Sequence, residues 1–185
     1  KDAYAMVNEI AKGAFSHNQK ITSVVMDKVT SVGEYGLASN KSLVNVTLDK
    51  LKEIGDYAFF EASITTMPAL DKKVKIGKYA VYFAYDTDCS IEEIFIPKSV
   101  TTIGDYALQN CRSVTKLTFE DGINLDTIPS SAFSGMRSLK SLTIPESVTT
   151  IGSSAFSYLG VKELFIPKTV SSIASSAFSS AAMEK

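Results

Sequence analysis

The 185-residue chain has a single histidine, His17, two cysteines, Cys89 and Cys111, and no tryptophan. Neither HExxH nor CxxC occurs, so the common signatures of zinc and dithiol chemistry are missing. GxxxxGKS/T and GxGxxG are also absent, which removes the glycine-rich cradles for phosphates. The formal net charge is only -1, leaving no electrostatic footprint for nucleic acid or an anionic membrane. No stretch approaches the ~18 consecutive apolar residues that span a bilayer. The opening segment KDAYAMVNEI lacks the apolar core of a signal peptide. Hydrophobic content of 45% argues against disorder.

What the chain does have is repetition. A six-residue pattern reads IGDYAF at 54–59, IGDYAL at 103–108, IPSSAF at 128–133, IGSSAF at 151–156 and IASSAF at 173–178. Weaker copies are IAKGAF at 10–15, VGEYGL at 32–37 and IGKYAV at 76–81. Their fifth place falls at Ala14, Gly36, Ala58, Ala80, Ala107, Ala132, Ala155 and Ala177, at intervals of 22–27 residues. Such a period means one short supersecondary unit stacked on copies of itself. With no composition break or linker, residues 1–185 are expected to form one domain. The pattern begins and stops within a repeat, so the chain is expected to be a fragment or processed part of a longer protein.

One unit, 139–160, shows the parts. Leu142-Thr143-Ile144 alternates in, out, in, as a strand does. Matching trios begin at Val24, Val46, Ile94, Leu117 and Leu164. Pro97, Pro145 and Pro167 stop their strands, because proline cannot donate to a ladder. A second extended piece, Val148-Thr149-Thr150-Ile151, follows, then a turn at Gly152. The turn column holds Gly33, Gly55, Gly77, Gly104 and Gly152, which predicts positive φ there. The Ala-Phe segment is expected to make one helical or 3-10 turn. Its last side chain should stack inward as a column of Phe15, Leu37, Phe59, Val81, Leu108, Phe133, Phe156 and Phe178. These features predict a β-rich right-handed superhelix of about eight repeats, with a parallel sheet on one face.

Residues 91–111 carry a family resemblance through Ile91, Ile94, Pro97, Val100, Ile103, Gly104 and Cys111. They resemble the BspA-like leucine-rich repeats, whose consensus is similar to LxxLxIPxxVxxIGxxAFxxC. The resemblance covers nearly the whole chain, with departures at Asp27, Asp49, Pro68 and Lys73. It implies a leucine-rich repeat solenoid that is extracellular or held at a cell surface. It also implies adhesion to host or neighbouring-cell proteins, with Cys111 in a buried thiol position.

Strand alternation selects the exposed side chains. One column reads Val25, Thr47, Pro68, Phe95, Thr118, Thr143 and Phe165, and its neighbour includes Glu93, Lys116, Ser141 and Glu163. A threonine ladder is explained by sheet stability alone. An exposed aromatic in a regular sheet calls for a contact, so Phe95 and Phe165 are the expected anchors for a protein partner. Thr118, Thr143, Glu93 and Lys116 lie between and beside them. A second ladder, Tyr35, Tyr57, Tyr79 and Tyr106, offers either stacking platforms for a glycan or simple stacking between repeats.

The segment YFAYDTDCS at 82–90 is the largest break in the period. Asp86, Asp88, Ser90 and Glu92 alternate like the start of a calcium loop. The loop glycine is missing, however, and Pro97 stands at its twelfth place, so no metal is expected. Cys89 and Cys111 occupy adjacent repeats, close enough for a disulfide, although two free thiols are the simpler expectation. Asn40-Lys41-Ser42 and Asn45-Val46-Thr47 match the glycosylation acceptor pattern.

Stacking keeps His17 three or four repeats from either cysteine, so a Cys–His pair cannot form. Glu92 and Glu93 face opposite sides of a strand and cannot share a substrate. The expected function is therefore non-enzymatic and cofactor-free: a protein-binding or adhesion module. A rigid spacer carrying another domain and a carbohydrate-binding module are the alternatives.

Overall fold

The computed structural model describes residues 7–84 and 89–182. Twelve short strands follow in chain order: β1 (Glu9–Ile10), β2 (Ser23–Val25), β3 (Ser31–Val32), β4 (Asn45–Thr47), β5 (Leu51–Ile54) and β6 (Leu70–Ile76). The second half adds β7 (Glu93–Ile96), β8 (Val100–Ile103), β9 (Lys116–Phe119), β10 (Thr127–Ile128), β11 (Thr150–Ile151) and β12 (Ser172–Ile173). Every pairing among them is parallel, each coil lying on the one before. The eight motif copies delimit seven intervals, so the solenoid makes about seven turns, one fewer than the repeat count.

The longest sheet is built by the second extended piece of each unit, in the order β1-β3-β5-β6-β8, and the same piece of later units forms a separate sheet, β10-β11-β12. The strand trios of the opposite face pair only as β2-β4 and β7-β9, plus an isolated Thr143–Phe165 bridge. No strand forms at 66–68, where Pro68 was expected to sit on the exposed column. Pro68 is buried instead, consistent with a residue that cannot donate to a ladder. Lys73 adopts φ 56, and the register shifts between Val74 and Lys75. That irregularity leaves Lys73 outside and gives the inward place to Val74. Ile166 also departs from its trio's alternation and is exposed.

The Ala-Phe segments are not helical; no helix occurs among the described residues. The residue before each repeat alanine has positive φ, as at Tyr35, Tyr57, Tyr79, Tyr106, Ser131, Ser154 and Ser176. A left-handed residue stops a helix after one turn. It also swings its peptide along the solenoid axis. Tyr57, Phe59 and Glu61 N–H groups then donate to the Lys78, Ala80 and Tyr82 carbonyls of the next coil at 2.8–2.9 Å. The Ala58 N–H closes a local turn on the Gly55 carbonyl.

The glycine column has a different cause from the one expected. Positive φ among glycines occurs only at Gly13, Gly122 and Gly135. At Gly55, Gly77, Gly104 and Gly152 a Cβ would lie 2.5–2.9 Å from backbone atoms of the preceding coil. Close approach is what excludes a side chain. Here the hydrogen bonds run the other way: the Gly55 N–H donates back to Val32 and the Gly77 N–H back to Ile54, both at 2.7 Å.

Inside, Leu37, Phe59, Val81, Leu108, Phe133 and Phe156 are fully buried, and Phe15 and Phe178 are half-buried. Phe133, Phe156 and Phe178 stack at 5.6 Å intervals. Asn40 is wholly buried and donates from Nδ2 to the Phe15, Leu37 and Ala38 carbonyls. Its amide is thereby spent inside the fold, which removes it as a glycosylation acceptor. Asn40→Leu strands the Phe15 and Leu37 carbonyls, while Ala38 keeps the His17 N–H, and is expected to cost about 2 kcal/mol. Urea denaturation measures that loss, and a midpoint equal to wild type would refute it.

Candidate functional site

Side chains on the short-strand face alternate because β7 and β9 are held in register: Glu93 opposite Lys116, Ile94 opposite Leu117, and Phe95 opposite Thr118. Ile94 and Leu117 are buried, which turns Phe95 outward to 54% exposure. Thr143 and Phe165 pair farther along the solenoid, with Phe165 69% exposed. The Lys116 ammonium lies 3.8 Å from the Glu93 carboxylate, both well exposed. Such a pair adds little stability and leaves both charges open to a partner.

Between these two paired regions the ladder is interrupted. Thr118 and Thr143, the expected neighbours, are not paired, and a cleft of about 720 Å³ opens there. Its walls include Lys116, Thr118, Phe119, Thr143, Ile144 and Phe165. Four of the six residues expected to bind protein therefore line one cleft. Glu93 stands beside it through Lys116, and Phe95 through Thr118.

The interruption coincides with extra residues at 120–122. The Ile123 N–H donates to the Glu120 carbonyl at 3.1 Å, closing a turn with Gly122 at φ 77. That conformation in the third place of a turn suits glycine. Lys98 pins the loop, its N–H and ammonium meeting Glu120 at 2.9 and 3.1 Å. The Lys98 N–H, then its ammonium, holds the Glu120 carboxyl below the usual range. Phe119, expected to point into the core, is half-buried at the cleft and meets Phe133 edge-on at 5.6 Å. The 25-residue interval between Ala107 and Ala132 was the signal for this loop. The larger insertion is at 82–90, and its Asp86 and Asp88 lie outside the described residues.

The tyrosine ladder is a stack. Ring centroids are 4.7 Å apart for Tyr35–Tyr57, 4.9 Å for Tyr57–Tyr79 and 4.5 Å for Tyr79–Tyr106, and no pair is tilted by more than 11°. A second stack, Phe60–Tyr82 at 5.1 Å, meets it edge-on. The inner ring faces are taken by each other. Desolvation, reinforced by the neighbouring phenols Tyr106 and Tyr57, pushes the Tyr79 hydroxyl pKa up.

Among the described residues no group of three or more His, Cys, Asp or Glu side chains could hold a metal ion. No helix there is long and apolar enough to cross a membrane. The His17 N–H bonds to Ala38 in the second coil, whereas the Cys111 thiol lies against Val81 in the fourth.

Among solved structures, a leucine-rich repeat protein from T. pallidum is 22% identical over 82% of this chain and 70% of its own, with a TM-score of 0.68. One from Bacteroides ovatus is 26% identical over 90% of this chain, with a TM-score of 0.65. The chain spans 49% of that protein's length. The pneumococcal vaccine antigen PcpA is 27% identical over 80% of this chain and 36% of its own, at a TM-score of 0.55. No curated protein matches. The family model of the BspA type leucine-rich repeat region matches in 6 copies, across residues 3–87 and 82–184. The chain belongs to the BspA-type leucine-rich repeat family.

Proposed function

We propose that this chain is a non-enzymatic adhesion module, displayed at a cell surface or secreted, that binds proteins of a host or a neighbouring cell. The binding surface is the short-strand face from Phe95 to Phe165, with the cleft between them. The observation that carries this reading is the pair of outward aromatics at 54% and 69% exposure. Each ring left in water forgoes about 2 kcal/mol that burial by a partner would recover. Aromatic anchors beside a pocket, rimmed by charges, are the usual makings of a binding hot spot. Thr118 and Thr143 supply hydroxyls on the cleft walls, and Lys116 and Glu93 supply a rim pair that sets orientation and on-rate. Membership of this repeat family and the kinship with a pneumococcal antigen support the surface setting.

The tyrosine ladder supports a sugar-stacking role less well, because a sugar needs a free ring face and the inner faces are covered. The test is a binding screen against immobilised extracellular-matrix proteins and a glycan array. Phe95→Ser with Phe165→Ser is expected to weaken any saturable protein binding at least tenfold, about 1.4 kcal/mol. Tyr57→Ser is expected to leave that binding unchanged. Binding that survives the double substitution rules this face out, and silence across the whole screen favours the spacer.

A further inference from the structure

The tyrosine ladder takes no part in the proposed binding face, yet its rings are set closer than those of the column inside. Tyr35, Tyr57, Tyr79 and Tyr106 have φ of 55, 57, 51 and 60, and each N–H is held to a carbonyl of the next coil at 2.9–3.1 Å. Neighbouring rings are therefore related by the step from one coil to the next. The Tyr79 and Tyr106 centroids lie 4.5 Å apart with planes 2° from parallel, against 5.6 Å for the interior phenylalanines. Tyr82 braces Tyr79 edge-on at 5.4 Å.

Every ring of the ladder is partly open to solvent. No hydroxyl of the four has a hydrogen-bond partner among the described residues. Phenylalanine stacks in the same way, so these hydroxyls are spare to the packing. A phenol that loses one electron and its hydroxyl proton becomes a phenoxyl radical, with spin shared onto the ring carbons beside the oxygen. Two such radicals join through orbitals perpendicular to their ring planes. Stacked rings present those orbitals to each other, and edge-on rings do not. Holding the two in contact also replaces a bimolecular encounter with an intramolecular one.

We propose that the ladder is a site of intramolecular oxidative cross-linking, at which Tyr79 and Tyr106 join as a dityrosine that staples successive coils. The oxidant is a haem peroxidase acting with hydrogen peroxide, which meets the ladder at its exposed edge. Each phenol gives one electron to the peroxidase and releases its hydroxyl proton. The two radicals form one C–C bond between the carbons next to their oxygens. The two C–H bonds at those carbons then break, and their protons move to the oxygens and restore both phenols. Peroxide takes up two electrons and two protons, so two tyrosines and one peroxide give one dityrosine and two waters. The new bond closes the chain around the 82–90 insertion and removes freedom from the unfolded state.

The experiment treats dilute folded protein with a haem peroxidase and hydrogen peroxide and isolates the monomer. The monomer is then reduced and alkylated, because Cys89 and Cys111 are free thiols whose oxidation removes the same mass. The expected product lacks two hydrogens that dithiothreitol does not restore, shows dityrosine fluorescence, and yields a tryptic species joining the peptides of Tyr79 and Tyr106. Its urea midpoint lies above that of untreated protein. Tyr79→Phe keeps the stack and loses this link, whereas Tyr158→Phe, exposed and outside the ladder, leaves it unchanged. A treated wild-type monomer without dityrosine, or dityrosine found only between molecules or at Tyr158, overturns the proposal whether or not a variant folds. Links found only at Tyr35–Tyr57 or Tyr57–Tyr79 overturn the choice of pair.

Discussion

Phe133→Ala is expected to destabilise the fold by about 3–5 kcal/mol, read as a fall in the urea midpoint relative to wild type. The ring has no solvent exposure, stacks on Phe156 at 5.6 Å, and receives Phe119 edge-on at the same distance. Truncation removes the transfer free energy of the ring and leaves a hole that neighbours on three coils cannot fill together. In a stacked repeat each coil is stabilised mainly by the next, so a gap in the middle weakens two interfaces at once. Phe178→Ala, half-buried at the last stacked ring, should cost clearly less. Thr169→Ala on the exposed surface is the reference substitution. A Phe133→Ala midpoint no lower than that reference would mean that the aromatic column is not the core.

Gly104→Ala is expected to cost about 3 kcal/mol, the upper end of what overpacking does, because the clash is with main chain. The added Cβ would stand 2.5 Å from the Lys78 nitrogen, 2.6 Å from the Gly77 carbonyl carbon and 2.8 Å from the Gly77 oxygen. None of these atoms belongs to a flexible side chain, and the Gly104 N–H is held to the Ile76 carbonyl at 2.7 Å. Asparagine separates the two explanations of this glycine. Were positive φ the reason, Gly104→Asn would be much milder than Gly104→Ala, since asparagine tolerates that conformation. Close approach predicts that both are equally harmful. At Gly13, with φ 65 and its nearest contact 3.6 Å away, Asn should be the better replacement. Thermal unfolding of these four variants decides the matter, and a harmless Gly104→Ala would refute the packing argument.

The stacking, the period and the inward column were legible because each is written in apolar side chains at a fixed interval. The outward placing of Phe95 and Phe165 followed from period-two alternation in the same way. The cleft between them was not legible. It depends on whether Thr118 and Thr143 pair across a three-residue loop, a backbone question that their identities do not answer. The left-handed residues were hidden for a related reason: tyrosine and serine carry no preference for positive φ, and only the hydrogen bonds to the next coil require it. Gly104 and its equivalents were expected to need positive φ, and they do not have it; the approach of the preceding coil is their constraint. Composition shows only that glycine is frequent there, beside Ala11, Pro129 and Ala174 in the same column, and the neighbouring coil shows where a Cβ is excluded.

Along the turn column, amides such as Tyr57–Lys78 and Phe59–Ala80 all point toward the following coil, while those at Gly55 and Gly77 point toward the preceding one. Peptide dipoles within this column are therefore opposed, and the paired strands beside it contribute little. A helix of similar length gathers about half a unit charge at each end. In this stack the forward and backward amides offset each other, so lengthening it adds contact surface without building an axial field. Ionic attraction by such a protein rests with its side chains, and can be tuned coil by coil.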